Sequence, residues 1–85
     1  MELTKKDIHK IWFADEHIHL KTATGEEKAM PLRWFPALKN ATDKERENYE
    51  LSHYGIHWEA LDMDLSFNDF FTYDKYKKEE EIIKQ

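Results

Sequence analysis

Two histidines and two aspartates near the C-terminal end carry the side chains that most suit chemistry. His53 and His57 flank a glycine, and Asp62 and Asp64 follow within a few residues. Imidazole nitrogens and carboxylate oxygens together can bind a divalent metal. On an extended segment the two aspartates would share a face roughly 6 to 7 Å apart, a separation also found between glycosidase carboxylates. A metal-assisted hydrolase is therefore one hypothesis for these four residues.

A simpler interpretation of the same residues needs no catalysis. His57 lies beside Ile56 and Trp58, which predicts a partly buried imidazole hydrogen-bonded to backbone. The two aspartates would then be a solvated or helix-capping pair. We favour this interpretation over the hydrolase.

Other arrangements that support catalysis or cofactor binding are weak or absent in the sequence. With glycine only at two positions, neither a phosphate-binding loop nor a dinucleotide fingerprint can form. Ser52 adjoins His53, but neighbours on an extended chain point to opposite faces. His17 and His19 share a strand face and would need a third ligand to hold a metal, so we expect surface residues. We therefore assign no catalytic residue, no cofactor and no metal ligand.

The large aromatic side chains give a second kind of candidate. Trp34, Phe35 and Trp58 are expected in the core, because so small a domain needs most of its aromatics inside. Any of them that proves exposed becomes an interface candidate, together with the neighbouring Arg33. A pocket built from Trp34, Trp58 and His57 would instead indicate a small-molecule-binding sensor domain.

Length, composition and charge restrict the class of protein. The 85 residues suffice for one domain, and the sequence contains no cysteine, which excludes disulfides and thiol nucleophiles and suits a cytoplasmic location. No apolar run approaches the roughly 20 residues of a membrane span. The net charge is −5, and residues 47–74 contain seven carboxylates without any Lys or Arg. Such a surface disfavours direct nucleic-acid binding and favours a basic protein partner.

The N-terminal half reads as three strands. Residues 7–13 are rich in β-branched and aromatic types, and residues 17–22 alternate with Ile18 and Leu20 facing inward. Gly25 provides the tight turn before residues 27–32, where Met30 and Leu32 face inward. An antiparallel meander is the predicted result.

The C-terminal half mixes helix and strand. Thr42 and Glu45 form a capping-box pattern, which predicts a main helix over residues 43–49. Residues 56–58 and 61–65 read as extended segments, and Ser66 is placed to cap a short helix that carries three phenylalanines. The predicted fold is a single α+β domain over residues 1–73, with a small antiparallel three- to four-stranded sheet, one main helix and a short C-terminal helix. Residues 74–85 form a charged tail.

Four short motifs in order give the chain a family resemblance. They are Pro31-Leu32-Arg33-Trp34-Phe35-Pro36-Ala37-Leu38, Ala41-Thr42 with Glu45-Arg46, Gly55-Ile56-His57-Trp58, and Leu61-Asp62-Met63-Asp64-Leu65-Ser66. Together they resemble the bacterial domain of unknown function numbered 2442. The resemblance implies a small α+β domain, often free-standing and sometimes joined to a DNA-binding helix-turn-helix domain, which we do not expect here. Members commonly have an acidic residue where this chain has Met63, which weakens any site that needs three consecutive carboxylates.

What the resemblance implies about function is limited. Members are frequently encoded beside another small protein, as toxins and antitoxins are, and no catalytic residue is established that could be carried over. We therefore expect a non-catalytic interaction or regulatory module that binds a small basic protein or a second copy of itself, with an antitoxin-like neutraliser as a special case. The interaction or ligand candidates are Arg33, Trp34, Phe35, His53, His57, Trp58, Asp62 and Asp64.

Overall fold

The computed structural model describes residues 3–72 and begins with a three-stranded antiparallel meander. A 3₁₀ turn at Lys5–Asp7 leads into β1 (Ile8–Ala14), β2 (His17–Thr22) and β3 (Glu27–Pro31). The strands lie in the order β1-β2-β3 and are antiparallel. The predicted meander is confirmed, and β2 has the predicted bounds.

Two tight turns connect these strands. Asp15 and Glu16 join β1 to β2 with positive φ angles of 51° and 59°, the left-handed pair that matches the twist of a hairpin. Gly25, with φ of 96°, lies in the turn before β3, as predicted. Both turns bring alternate side chains of the three strands onto one face.

That face is the inner one, and it supplies three of the ten buried hydrophobic residues of the core. Ile18 pairs with Phe13 on one side and Met30 on the other, and Leu20 pairs with Ile11. Ile18, Leu20 and Met30 are buried, as the alternation predicted.

Short helices connect the meander to the rest of the chain. A 3₁₀ turn at Leu32–Trp34 precedes α1 (Pro36–Lys39) and α2 (Asp43–Glu47). The predicted capping box is present: the Glu45 N–H donates to the Thr42 hydroxyl over 3.1 Å, and the Thr42 N–H donates to the Glu45 carboxylate over 2.9 Å. The helix ends two residues earlier than predicted, and the Tyr49 ring packs on Trp58 instead.

A second antiparallel sheet follows, which the sequence did not predict. It consists of β4 (Glu50–Leu51), β5 (Gly55–Trp58) and β6 (Met63–Ser66), with β5 in the centre. The α+β class is therefore correct, but the expectation of one sheet of three to four strands is wrong. Residues 56–58 and the end of 61–65 pair with each other rather than extending the meander.

The last helix, α3, covers residues 67–72. Ser66 caps it as predicted, because its hydroxyl accepts the Asn68 N–H over 3.2 Å, while Asp69 accepts the Ser66 N–H over 2.9 Å. Within residues 3–72 each of the three α-helices spans only four to six residues, so the expected main helix is not found.

One hydrophobic cluster within residues 3–72 contains buried side chains from both sheets. Trp58, Phe67 and Phe70 have no exposed surface, and they pack with apolar residues of the meander and with Leu38 of α1. The buried set is Ile18, Leu20, Met30, Leu32, Leu38, Ile56, Trp58, Leu65, Phe67 and Phe70. Because both sheets contribute, the outer face of each is left to carry polar side chains.

The expected charged tail, residues 74–85, lies outside the described residues. None of the helices between residues 3 and 72 is long and apolar enough to cross a membrane.

Candidate functional site

The outer face of the second sheet brings three polar side chains into one row. Leu51, Ile56 and Leu65 pair across the three strands and point inward. Since side chains alternate along a strand, their neighbours point outward. Glu50 pairs with His57, and His57 pairs with Asp64, so an imidazole lies between two carboxylates.

His57 is held in this row by a direct hydrogen bond. Its Nδ1 donates to Oδ1 of Asp64 over 2.7 Å, and its Nε2 lies 4.0 Å from Oε2 of Glu59, just beyond the end of β5. About a third of the His57 side chain, 35%, is exposed. The expected partial burial is correct, but the partner is a carboxylate rather than the backbone. We call Glu50, His57, Glu59 and Asp64 the acidic face.

The surroundings of His57 favour its protonated form. The hydrogen bond to Asp64 raises the pKa of His57 above its usual 6.5, and the negative charges of Asp64, Glu59 and Glu50 act in the same direction. Partial burial lowers the pKa, with an effect smaller than that of the hydrogen bond but larger than that of any one of these charges. The imidazole therefore carries a positive charge over a wider pH range than a solvated histidine does.

This raised pKa predicts how stability depends on pH. Because folding stabilises protonated His57, its contribution is fully present below about pH 6.5 and is lost as the pH rises through the higher folded-state pKa. We expect the free energy of unfolding of the wild type to exceed that of a His57→Gln variant by more at about pH 5.5 than at about pH 8.5. Urea unfolding of the two proteins measures the difference. The Asp64→Asn variant should lose the pH-dependent part of the free energy of unfolding, as His57→Gln does. A difference that does not change with pH would show that protonation of His57 does not contribute to stability.

Negative charge extends beyond the row. Six carboxylates of residues 47–72 are exposed, and no Lys or Arg occurs within this segment. They are Glu47, Glu50, Glu59, Asp62, Asp64 and Asp69. The expectation of an acidic C-terminal half therefore gains a specific centre, which is His57 with the three carboxylates around it.

Two of the four predicted chemistry-bearing residues lie elsewhere. The exposed His53 packs its ring edge-on against Tyr54, with 4.3 Å between centroids. Asp62 lies in the turn before β6 with a positive φ of 49°. The prediction that it shares a strand face with Asp64 is therefore wrong. Within residues 3–72, no three His, Asp or Glu side chains are placed to hold a metal ion. The structure thus brings together only His57 and Asp64 of that set.

The aromatic candidates are also separated from one another. Trp58 is fully buried, and its Nε1–H donates to the Arg46 carbonyl over 2.8 Å. Phe35 is half-buried against the core, whereas Arg33 and Trp34 are exposed, the tryptophan by 39%. The expectation that Trp34 lies in the core is therefore wrong, and its exposure makes it an interface candidate together with Arg33.

Two clefts lie among residues 3–72, and neither matches the expected ligand pocket. One of about 500 Å³ lies between the β1-β2 turn and the short helices and includes Arg33 in its lining. The other, of about 440 Å³, lies between β1 and α2. Trp34, Trp58 and His57, the residues of the sensor hypothesis, line neither of them.

His17 and His19 support the first hairpin. Nδ1 of His17 donates to the Asp15 carbonyl over 2.7 Å, and Nε2 of His19 donates to the Ala14 carbonyl over 3.1 Å. The His19 ring also stacks on Trp12, with 5.0 Å between centroids. These contacts agree with the expectation that the two histidines are surface residues of the strand.

Sequence reasoning missed Glu50 and Glu59 as individual members of the site. Glu50 lies in a strand of only two residues, which is too short to leave an alternation pattern. Glu59 directly follows the paired part of β5. The absence of Lys and Arg around both was the one sequence signal that pointed to them.

Comparison with known proteins yields a family and no characterised relative. No curated protein matches the chain, and no solved structure does. A family model described as a protein of unknown function, DUF2442, matches residues 8–76, which include both sheets, all three helices and the acidic face. The chain therefore belongs to the DUF2442 family.

Proposed function

We propose that this protein is a non-catalytic interaction module whose acidic face binds a basic partner protein. The observation that carries the proposal is the cross-strand row Glu50-His57-Asp64, to which Glu59 adds a third carboxylate. The row lies on the outer face of a sheet whose inner face is committed to the core. Its polar groups are thus free to meet another molecule without disturbing the fold.

Electrostatics gives this face its selectivity. Exposed carboxylates on a segment, residues 47–72, that contains no Lys or Arg favour a negative potential, which attracts basic surfaces and repels phosphate backbones. Such complementarity acts mainly on the rate of association and on the exclusion of wrong partners. A small basic protein is accordingly the favoured partner, and exposed Trp34 and Arg33 are candidates for additional contacts.

An antitoxin-like role is the more specific form of this proposal. In that form the acidic face covers a basic functional surface of a protein encoded next to this one. Co-expression should then relieve a growth defect caused by the neighbour, and the relief should be lost when Glu50 and Asp64 are both changed to Lys.

Affinity capture from native lysate tests the general proposal. The tagged wild type should retain a basic protein, and the Glu50→Lys/Asp64→Lys variant should lose most of it, because two attractive charges become repulsive. The matched control is Glu26→Lys/Glu27→Lys, which makes the same change in net charge at exposed sites around the start of β3. Bound proteins are identified by mass spectrometry.

The comparison of the two variants decides the outcome. Retention by the wild type and the control, but not by the acidic-face variant, supports the proposal. Equal loss in both variants would mean that net charge alone matters, and equal retention would mean that the partner binds elsewhere. Either result would contradict a role for the acidic face.

A further inference from the structure

His57 occupies a position in the acidic face that a cation from a partner would also favour. Its Nδ1 lies 2.7 Å from the Asp64 carboxylate, and its Nε2 lies 4.0 Å from Glu59. When the imidazole is protonated, it neutralises part of the negative charge that would attract a basic partner. When it is neutral, all three carboxylates of the face lack that compensation.

The charged groups that face His57 come from the two strands beside it and from the residue that follows its own strand. Asp64 belongs to β6, Glu50 belongs to β4, and Glu59 follows β5. All three are carboxylates, and all three act on the imidazole in the same direction. Residues 47–72 contribute no Lys or Arg to this face. Among the residues that this segment places on the face, His57 is therefore the one whose protonation adds positive charge.

We propose that His57 couples occupation of the acidic face to proton release, so that a partner's arginine or lysine side chains bind tightly when the imidazole is neutral and weakly when it is protonated. The inference rests on the proposed function, since it concerns the same face and partner class. The proton moves from the imidazolium of His57 to solvent as the partner's cation approaches Asp64 and Glu59. No covalent bond changes.

The raised pKa of His57 places this coupling above pH 6.5, the usual pKa of a histidine. Linkage requires reciprocity: if protonation weakens cation binding by some factor, cation binding must lower the pKa of His57 correspondingly. A single charge at a distance of 4.0 Å, as between His57 and Glu59, changes affinity by about fivefold in a partly solvated site. The face would therefore release its partner as the pH falls through the pKa of His57.

Binding of a labelled hexa-arginine peptide to the full chain at low ionic strength tests the coupling. The peptide stays fully charged throughout, so only the protein responds to pH. We expect the affinity of the wild type to fall about fivefold between about pH 8 and about pH 5.5, and the His57→Gln variant to show less than half of that change. His9→Gln, which removes an exposed imidazole from β1 of the other sheet, should respond like the wild type.

A second readout follows the imidazole itself. The NMR titration midpoint of the His57 ring should move to lower pH when the peptide is added. An unchanged or higher midpoint, or an identical pH response in wild type and His57→Gln, would overturn the coupling while leaving the acidic face as a binding surface. Failure of the peptide to bind at any pH would overturn the proposed function as well.

Discussion

Replacing Gly55 by alanine should remove most of the stability of this domain. A β-carbon at this position would overlap the carbonyl oxygen of Leu65 on the adjacent strand and approach the α-carbon of Ser66. These are backbone atoms of a paired strand, so relief requires β5 and β6 to separate where Gly55 pairs with Ser66. We expect a loss of about 3 kcal/mol or more in the free energy of unfolding, measured by urea denaturation.

The other glycine provides the control. Gly25 has a positive φ, but no heavy atom lies within 4 Å of the place that a β-carbon would take, so alanine there incurs only backbone strain. Its cost should be about 1 kcal/mol. If Gly25→Ala proved more destabilising than Gly55→Ala, the close approach of β5 and β6 would be incorrect.

Replacing Trp58 by alanine should have an effect of similar size. The side chain is fully buried, its ring lies 6.0 Å from that of Tyr49, and its Nε1–H donates to the Arg46 carbonyl. Truncation leaves a large cavity and a carbonyl without its donor, which should cost about 3 to 5 kcal/mol. Urea unfolding followed by far-UV circular dichroism measures the change.

A milder variant keeps the effect measurable if Trp58→Ala does not fold. Trp58→Phe keeps an aromatic ring but loses the donor to Arg46, and we expect about 1 to 3 kcal/mol. Trp34→Ala, at a 39% exposed position, should cost about 1 kcal/mol or less. A larger effect at Trp34 than at Trp58 would contradict the assignment of Trp58 to the core.

The N-terminal sheet was predictable because its strands alternate and its turns have recognisable chemistry. Ile18, Leu20 and Met30 follow the period of two that a half-buried strand requires, and Gly25 marks the second turn. The helix start at Thr42 was equally legible, because a capping box is a local pattern. Such features depend on a few neighbouring residues and not on how the rest of the chain folds.

The second sheet was not predictable for a physical reason. Its three strands contain two, four and four residues, so pairing between distant segments defines them rather than local periodicity. Asp62 shows the consequence. It continues the alternation of Leu61 and Met63 in the sequence, yet a left-handed backbone places it in a turn.

Two of the four residues of the candidate site were predictable, but their contacts were not. His57 and Asp64 were both named, and the acidic composition around them was evident. The hydrogen bond between them depends on the register of β5 against β6, which the turn between the two strands determines. Glu50 entered the site only through the short strand β4.

Site-specific photo-crosslinking gives the most direct test that the acidic face contacts a basic partner. A photoreactive amino acid placed at Glu59, which is 88% exposed and adjacent to His57, should crosslink the same basic protein that affinity capture retains. The matched position is Glu27 of β3, where the substitution removes the same charge from the other sheet. We predict a crosslink from position 59 and none from position 27; a crosslink from position 27 alone would contradict the account.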